Sequence, residues 1–281
     1  MAFHTRSNSF PSRPHPIVQE VDECLRRLRS SEVTSTSSSS SISHKLSGLQ
    51  DLHSCVDRLL QLPLTQQALA QEQNEKSTNE LLDGSLRILD VCSSAKDALL
   101  QTKECVQDLQ SIMRRRRGSE SGALTTEVRK YLTSRKMVNK AIHKAMGNLK
   151  GSSFSSLNKD NETIVVVSTL RDVEAVTLSV FESLLSFISG PKSKPSSSWS
   201  LVSKIIHTKR VACEEETEAN EFAQVDATLQ SFIKTSKSDH KNADNQLDNL
   251  ESCIQDQEEQ LECLFRQFIK TRVSLLNILN H

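Results

Sequence analysis

The chain is 281 residues long, 36% hydrophobic and only 4% aromatic, with 35 Lys+Arg balancing 35 Asp+Glu. That length suits one large or two small domains. Seven Gly and six Pro are too few for an all-β protein full of tight turns, and no apolar stretch reaches the ~20 residues of a membrane span.

Residues 1–15 are Ser, Pro, Arg and His with little apolar content, the composition of a disordered tail. Arg6 and Arg13 without acids resemble a transit peptide, but Pro11, Pro14 and Pro16 break the amphipathic helix import requires. Pro16 suits a first helical turn, after which Ile17, Val21, Cys24, Leu25 and Leu28 share one face. Thr34 to Ser41 reads as a flexible Ser/Thr linker, so residues 16–43 are expected to be a short helix and a linker. A helical domain follows over 44–281, with loops near 114–122, 151–162 and 190–198.

Within it, Leu46, Leu49, Leu52, Val56, Leu59 and Leu60 mark a helix that stops or kinks at Pro63. Thr65 is placed to cap the next one. From about Ser77 to Met113, Leu82, Leu86, Leu89, Leu99, Val106 and Leu109 sustain a long pattern in which Gly84 is the weak point. Arg114 to Arg117 then suit the negative end of the helix. Leu124, Val128, Tyr131, Leu132, Val138, Ile142, Ala145 and Leu149 mark another helix.

Thr163 to Val167 is β-branched and locally strand-like, yet Val167, Leu170, Val173, Leu178, Phe181, Leu184, Leu185 and Ile188 keep helical spacing. Helix is the better assignment, ended by Gly190, Pro191 and Pro195. Trp199, Val202, Ile205 and Ile206 suggest a short helix, and an acidic one starts near Val211. The last segment is the clearest: Leu247, Ile254, Leu261, Phe268 and Leu275 fall seven apart, with Leu250, Leu264 and Ile278 between them. Gln257 and Thr271 fill the two remaining positions of that stripe. Such a stripe must be buried against other helices. The fold class is therefore all-α: an elongated bundle of long antiparallel helices with a long coiled-coil-like helix at its C-terminal end. The same stripe would also serve a homodimer.

Zero net charge hides an asymmetry. Residues 114–150 carry eleven Lys/Arg against Glu120 and Glu127, a net of +9, while residues 212–262 carry fourteen Asp/Glu against three Lys, a net of −11. Seven Cys without a C-x-x-C pair point to reduced thiols in a cytoplasmic or nuclear compartment. Cys253 and Cys263 lie about 280° apart round a helix, so they nominate no metal site, and His240 lacks a partner at i+4. No phosphate loop, dinucleotide fingerprint, nucleophile elbow or zincin motif occurs. Nothing nominates a catalytic residue or a cofactor.

The basic segment offers a candidate anionic-surface patch: Arg114, Arg115, Arg116, Arg117, Lys130, Arg135, Lys136 and Lys140. It would serve a peripheral protein on anionic lipids, a nuclear-import signal or a calmodulin target. A solvated face, or one docked on the acidic helices, is the plainer reading. Nucleic acid is not an expected partner, because aromatic residues are scarce and no recognition motif accompanies the charge.

The sharpest short motif is in the tail. Arg6, Ser7, Ser9 and Pro11 fit R-S-x-S-x-P, the pattern read by phosphoserine-binding 14-3-3 dimers. A phosphate on Ser9 adds about −1.5 to −2 charge for an Arg cluster to grip. Ser119, after Arg116 and Arg117, is the second candidate phosphosite.

Several stretches carry a family likeness: HTRSNSFPSRPHP over 4–16, LPLTQQAL over 62–69, LLDGSLRILDVC over 81–92, LQSIMRRRR over 109–117 and LFRQFIKTRVSLLNIL over 264–279. In content and order the chain resembles the plant BYPASS-like family over nearly its whole length. The resemblance implies a land-plant protein, helical throughout and linked to root and shoot development, with no established catalytic site to carry over. Residues and resemblance together predict a non-enzymatic cytoplasmic adaptor or regulator, with nuclear or membrane-peripheral pools as alternatives.

Overall fold

The C-terminal heptads close into one helix of 40 residues, roughly 60 Å at 1.5 Å per residue. The computed structural model describes residues 15–33, 38–71, 75–115, 121–149, 162–190, 220–234 and 240–279. Among them every element is an α-helix: α1 (Pro16–Val33), α2 (Ser39–Leu60), α3 (Pro63–Ala70), α4 (Glu75–Arg115), α5 (Ser121–Leu149), α6 (Glu162–Ser189), α7 (Glu221–Lys234) and α8 (His240–Leu279). The expected helices near Trp199 and Val211 to Ala219 lie outside the described residues.

The stripe of α8 is the axis of the core. Leu247, Leu250, Ile254, Leu261 and Leu264 are fully buried, and Phe268 and Leu275 nearly so. The polar position Gln257 is buried in the same seam, its Nε2 donating to Cys253 Sγ at 3.2 Å. One flank of α8 is lined by α4, running antiparallel. Lys96 meets Glu262 (2.5 Å), Lys103 meets Glu258 (2.7 Å), Gln107 meets Glu251 (2.7 Å) and Gln110 meets Asp248 (2.8 Å). Apolar side chains bury the seam, and these pairs border it and fix its register.

The other flank is α2, and it runs parallel to α8. Ser39 lies 3.3 Å from Cys253 Sγ, Gln267 donates to Ser54 Oγ at 3.1 Å, and Lys270 pairs with Asp57. Short connections force neighbouring helices antiparallel, but α2 and α8 are far apart in sequence and escape that constraint. Among the described residues the bundle is thus mostly antiparallel but not uniformly so: α2 runs parallel to α8, and α6 runs parallel to α4, where Arg171 pairs with Glu80 and Glu174 with Arg87.

Two local expectations change. The end of the serine run, from Ser39, is helix: Ser38 is the N-cap of α2, its Oγ accepting from the Ser41 amide at 3.3 Å. Ile42 and Leu46 extend the buried stripe back into that run. Serine favours caps over helix interiors, so a serine-rich composition is compatible with a helix start as well as with a linker. Thr65 does not cap α3. Leu62 occupies the N-cap, Pro63 the first turn, and Thr65 is buried inside the helix. Proline at the first position loses no hydrogen bond.

The strand-like valines belong to α6, with Val167, Val173, Val176 and Val180 buried. Burial of that face outweighs β propensity. Gly84, the weak point of α4, faces Glu174 of α6: a Cβ there would stand 2.2 Å from Glu174 Oε2. The buried Glu174 carboxylate pairs with Arg87 at 2.7 Å, while Arg171 pairs with Glu80. Glycine lets α6 bring a carboxylate against the α4 backbone.

Candidate interaction surface

The inner stripe of α5 is Leu124, Val128, Tyr131, Val138, Ile142 and Met146, all buried. Its three-and-four spacing has one more member, Arg135, four residues after Tyr131 and three before Val138. The structure removes Arg135 from the predicted anionic-surface patch. The residue is only 2% exposed, and its Nη2 donates to Ile188 O at 2.8 Å and to Asp226 Oδ2 at 3.2 Å. The guanidinium also stands 5.2 Å from the centroid of the Phe222 ring, a geometry favourable for a cation on an aromatic face.

This contact closes the end of α6. The last carbonyls of a helix lack intrahelical donors, and side chains of other elements supply them here. Asn220 Nδ2 donates to Phe187 O at 2.7 Å, Arg135 to Ile188 O, and Asn139 Nδ2 to Ser189 O at 3.2 Å. Asn220 also caps α7, its Oδ1 accepting from the Ala223 amide at 3.1 Å. Burial pushes the nearby Tyr131 phenol well up, with Asp226 adding to the effect.

The outer face of α5 is different. Arg129, Lys130, Lys136, Lys140, His143 and Lys144 are all exposed there, and helical spacing spreads them across the outward half of the helix. Met137 lies among them, 61% exposed. Of the predicted patch, then, Lys130, Lys136 and Lys140 fall together on one face, and Lys130 also reaches Glu127 at 2.8 Å. Arg114 and Arg115 sit apart at the end of α4. The first pairs with Asp248 at 3.3 Å, and the second folds back onto Ser111 Oγ at 2.6 Å. Arg116, Arg117, Ser119 and the tail residues Arg6, Ser7, Ser9 and Pro11 lie outside the described residues. Sequence reading missed Met137; a large apolar side chain on the polar side of the helical wheel was the signal.

The acidic side of the molecule is α8, and α4 rather than α5 answers its charge through the Lys96 and Lys103 pairs. Between those helices runs an open groove of about 680 Å³, lined by Lys96, Leu100, Glu258, Glu262, Cys263 and Arg266. Leu100 and Cys263 are exposed in it, and the Lys96 ammonium holds the Glu262 carboxyl below its usual range. The groove is a border of ion pairs.

Fold and surface define an all-helical bundle with a basic outer face on α5 and an acidic edge on α8. No helix among the described residues is long and apolar enough to cross a membrane. The family model described as Protein BPS1, of the plant-specific BYPASS-like family, matches residues 45–278, and the chain belongs to that family. No curated protein and no solved structure matches the chain.

Proposed function

We propose that the chain is a non-enzymatic, cytoplasmic helical adaptor or regulator in plant root and shoot development, and that it engages protein partners through the outer face of α5. The supporting observation is the exposed outward half of α5, with Lys130, Lys136 and Lys140 around Met137, on a helix whose inner face is already committed to the core. Charge at that density steers acidic partners, and an apolar side chain within it adds contact area. The test is proximity labelling in root cells with the wild type and a Lys130→Glu/Lys136→Glu/Lys140→Glu variant. The reading expects the variant to lose a defined subset of neighbours while its circular dichroism is unchanged. An identical neighbour set ends it.

A second reading uses the same face against an anionic membrane surface, where each Lys near the bilayer contributes about 1 kcal/mol. It expects salt-sensitive binding to vesicles rich in phosphatidylserine, lost in the same variant. Arg135 is left intact in both tests, because its substitution would disturb the core. Absence of vesicle binding at low salt disposes of the membrane reading and leaves the adaptor reading standing.

A further inference from the structure

Helices α1 and α2 pack antiparallel in a register set by two ion pairs. Arg58 Nη2 meets Glu20 Oε2 at 2.6 Å, and Arg27 Nη2 meets Asp51 Oδ2 at 3.4 Å. Midway between the pairs the same register sets Cys24 of α1 opposite Cys55 of α2. The two helices carry the same pattern, an acid, then Cys four residues on, then Arg three further: Glu20, Cys24 and Arg27 on one, Asp51, Cys55 and Arg58 on the other. The arrangement is locally two-fold. Each acid answers the other helix's arginine, and each arginine also reaches the sulfur on its own helix: Arg58 Nη2 lies 3.1 Å from Cys55 Sγ and Arg27 Nη2 3.7 Å from Cys24 Sγ.

Three features suit the pair to bonding. Both thiols are buried in the seam while all four flanking charges are exposed, so the sulfurs lie just beneath the surface. The helices come close beside them, since a Cβ on Gly48 would stand 2.9 Å from Leu28 Cδ2. That glycine is two turns from Cys55, and Leu28 one turn from Cys24. Both cysteines are reduced here.

We propose that Cys24 and Cys55 are a redox modification site at which hydrogen peroxide forms a reversible disulfide fastening α1 to α2. The thiolate of one cysteine attacks a peroxide oxygen. An S–O bond forms, the O–O bond breaks, and the departing hydroxide takes up a proton as water. The second thiolate then attacks the sulfenic sulfur, the S–O bond breaks, a second water leaves, and the Sγ–Sγ bond closes. Two thiols give up two electrons and two protons, and one peroxide becomes two waters. Burial pushes the Cys55 thiol up and Arg58 works against that rise. The proposal is independent of the adaptor reading. Cys55 lies inside the family match and Cys24 before it, so the bond would join α1 to the matched region.

The experiment uses the full chain, reduced and then exposed to hydrogen peroxide under native conditions. Free thiols are blocked, and the digested peptides are mapped by mass spectrometry. The expected product is a linked pair of peptides carrying Cys24 and Cys55, lighter by two hydrogens and separated again by dithiothreitol. A Cys263→Ser variant, which removes an exposed thiol, should form the same bond. Arg58→Gln should slow its formation by up to roughly tenfold, because less of the thiol is then thiolate. Recovery of Cys24 and Cys55 as blocked thiols, or of linkages shared at random with Cys263, overturns the proposal. An unchanged rate in the Arg58 variant overturns the role given to the arginine.

Discussion

The buried Arg135 of α5 and the half-buried Asp226 of α7 form an ion pair, the guanidinium Nη2 lying 3.2 Å from Asp226 Oδ2. Through the same group α5 holds the end of α6 by way of Ile188 O. Three helices meet on one charged side chain.

Removing one partner of a buried ion pair leaves an uncompensated charge in the interior and costs about 3–5 kcal/mol. Arg135→Ala should therefore lower the unfolding free energy obtained from urea titration by an amount of that order, with a matching fall in the midpoint. Lys136→Ala, one residue along and exposed, should stay within about 0.5 kcal/mol of the parent. The double change Arg135→Met/Asp226→Leu should recover part of the loss, because no charge is then stranded. Equal midpoints for the Arg135 and Lys136 variants would place Arg135 on the surface.

His53 makes the fold acid-sensitive. It is buried between α2, α6 and α8, with Nε2 2.9 Å from Thr177 Oγ1 and its ring edge-on to Phe268 at 4.6 Å between centroids. Burial lowers its pKa from 6.5 to about 3. Between those values the unfolded chain binds a proton that the folded chain refuses, so stability falls as pH drops through that window. At about 1.4 kcal/mol per unit, the His53 contribution lost between pH 6.5 and pH 4.5 is roughly 2–3 kcal/mol. Urea titrations across that range should show the loss, and His53→Leu should flatten it. A slope that persists undiminished in the variant assigns the sensitivity elsewhere.

Two glycine substitutions should act in opposite directions. Gly84→Ala gains about 1 kcal/mol of helix propensity but thrusts a methyl group into the Glu174 carboxylate. Displacing that carboxylate from Arg87 should leave a net loss of about 1–3 kcal/mol. Gly147→Ala meets nothing within 4 Å and should stabilise α5 by about 0.5 kcal/mol. Thermal melts of the two variants decide the point, and a gain at position 84 would show that α6 yields there easily.

The tail motif is tested separately. Ser9→Ala should abolish recovery of 14-3-3 proteins from plant extract, whereas Ser7→Ala should leave Ser9 available to the kinase. Retention of the reader in the Ser9 variant removes the phosphoserine role from this segment.

The long helices α4 and α8 were legible because their apolar residues recur at helical spacing for many turns, and that signal is local. Arg135 was legible by position but not by type: its place four after Tyr131 and three before Val138 is a core place, while a basic residue in a basic segment suggests solvent. Ser39 and Thr65 show the opposite difficulty, since their types suit a linker or a cap and their positions lie inside helices. The parallel pairing of α2 with α8 left no local trace, because partner choice depends on which stripes fit together in three dimensions. For the same reason Cys24 and Cys55 were visible in the sequence while their facing was not.

The union of α2 with α8 has a temporal consequence. Ser54 and its partner Gln267 are 213 residues apart. At ~5–20 residues per second, the ribosome takes roughly 10–40 s to deliver the second after the first. During that interval the stripe of α2 that α8 will cover has no lasting cover, so a nascent chain arrested before α8 should be the form that chaperones hold.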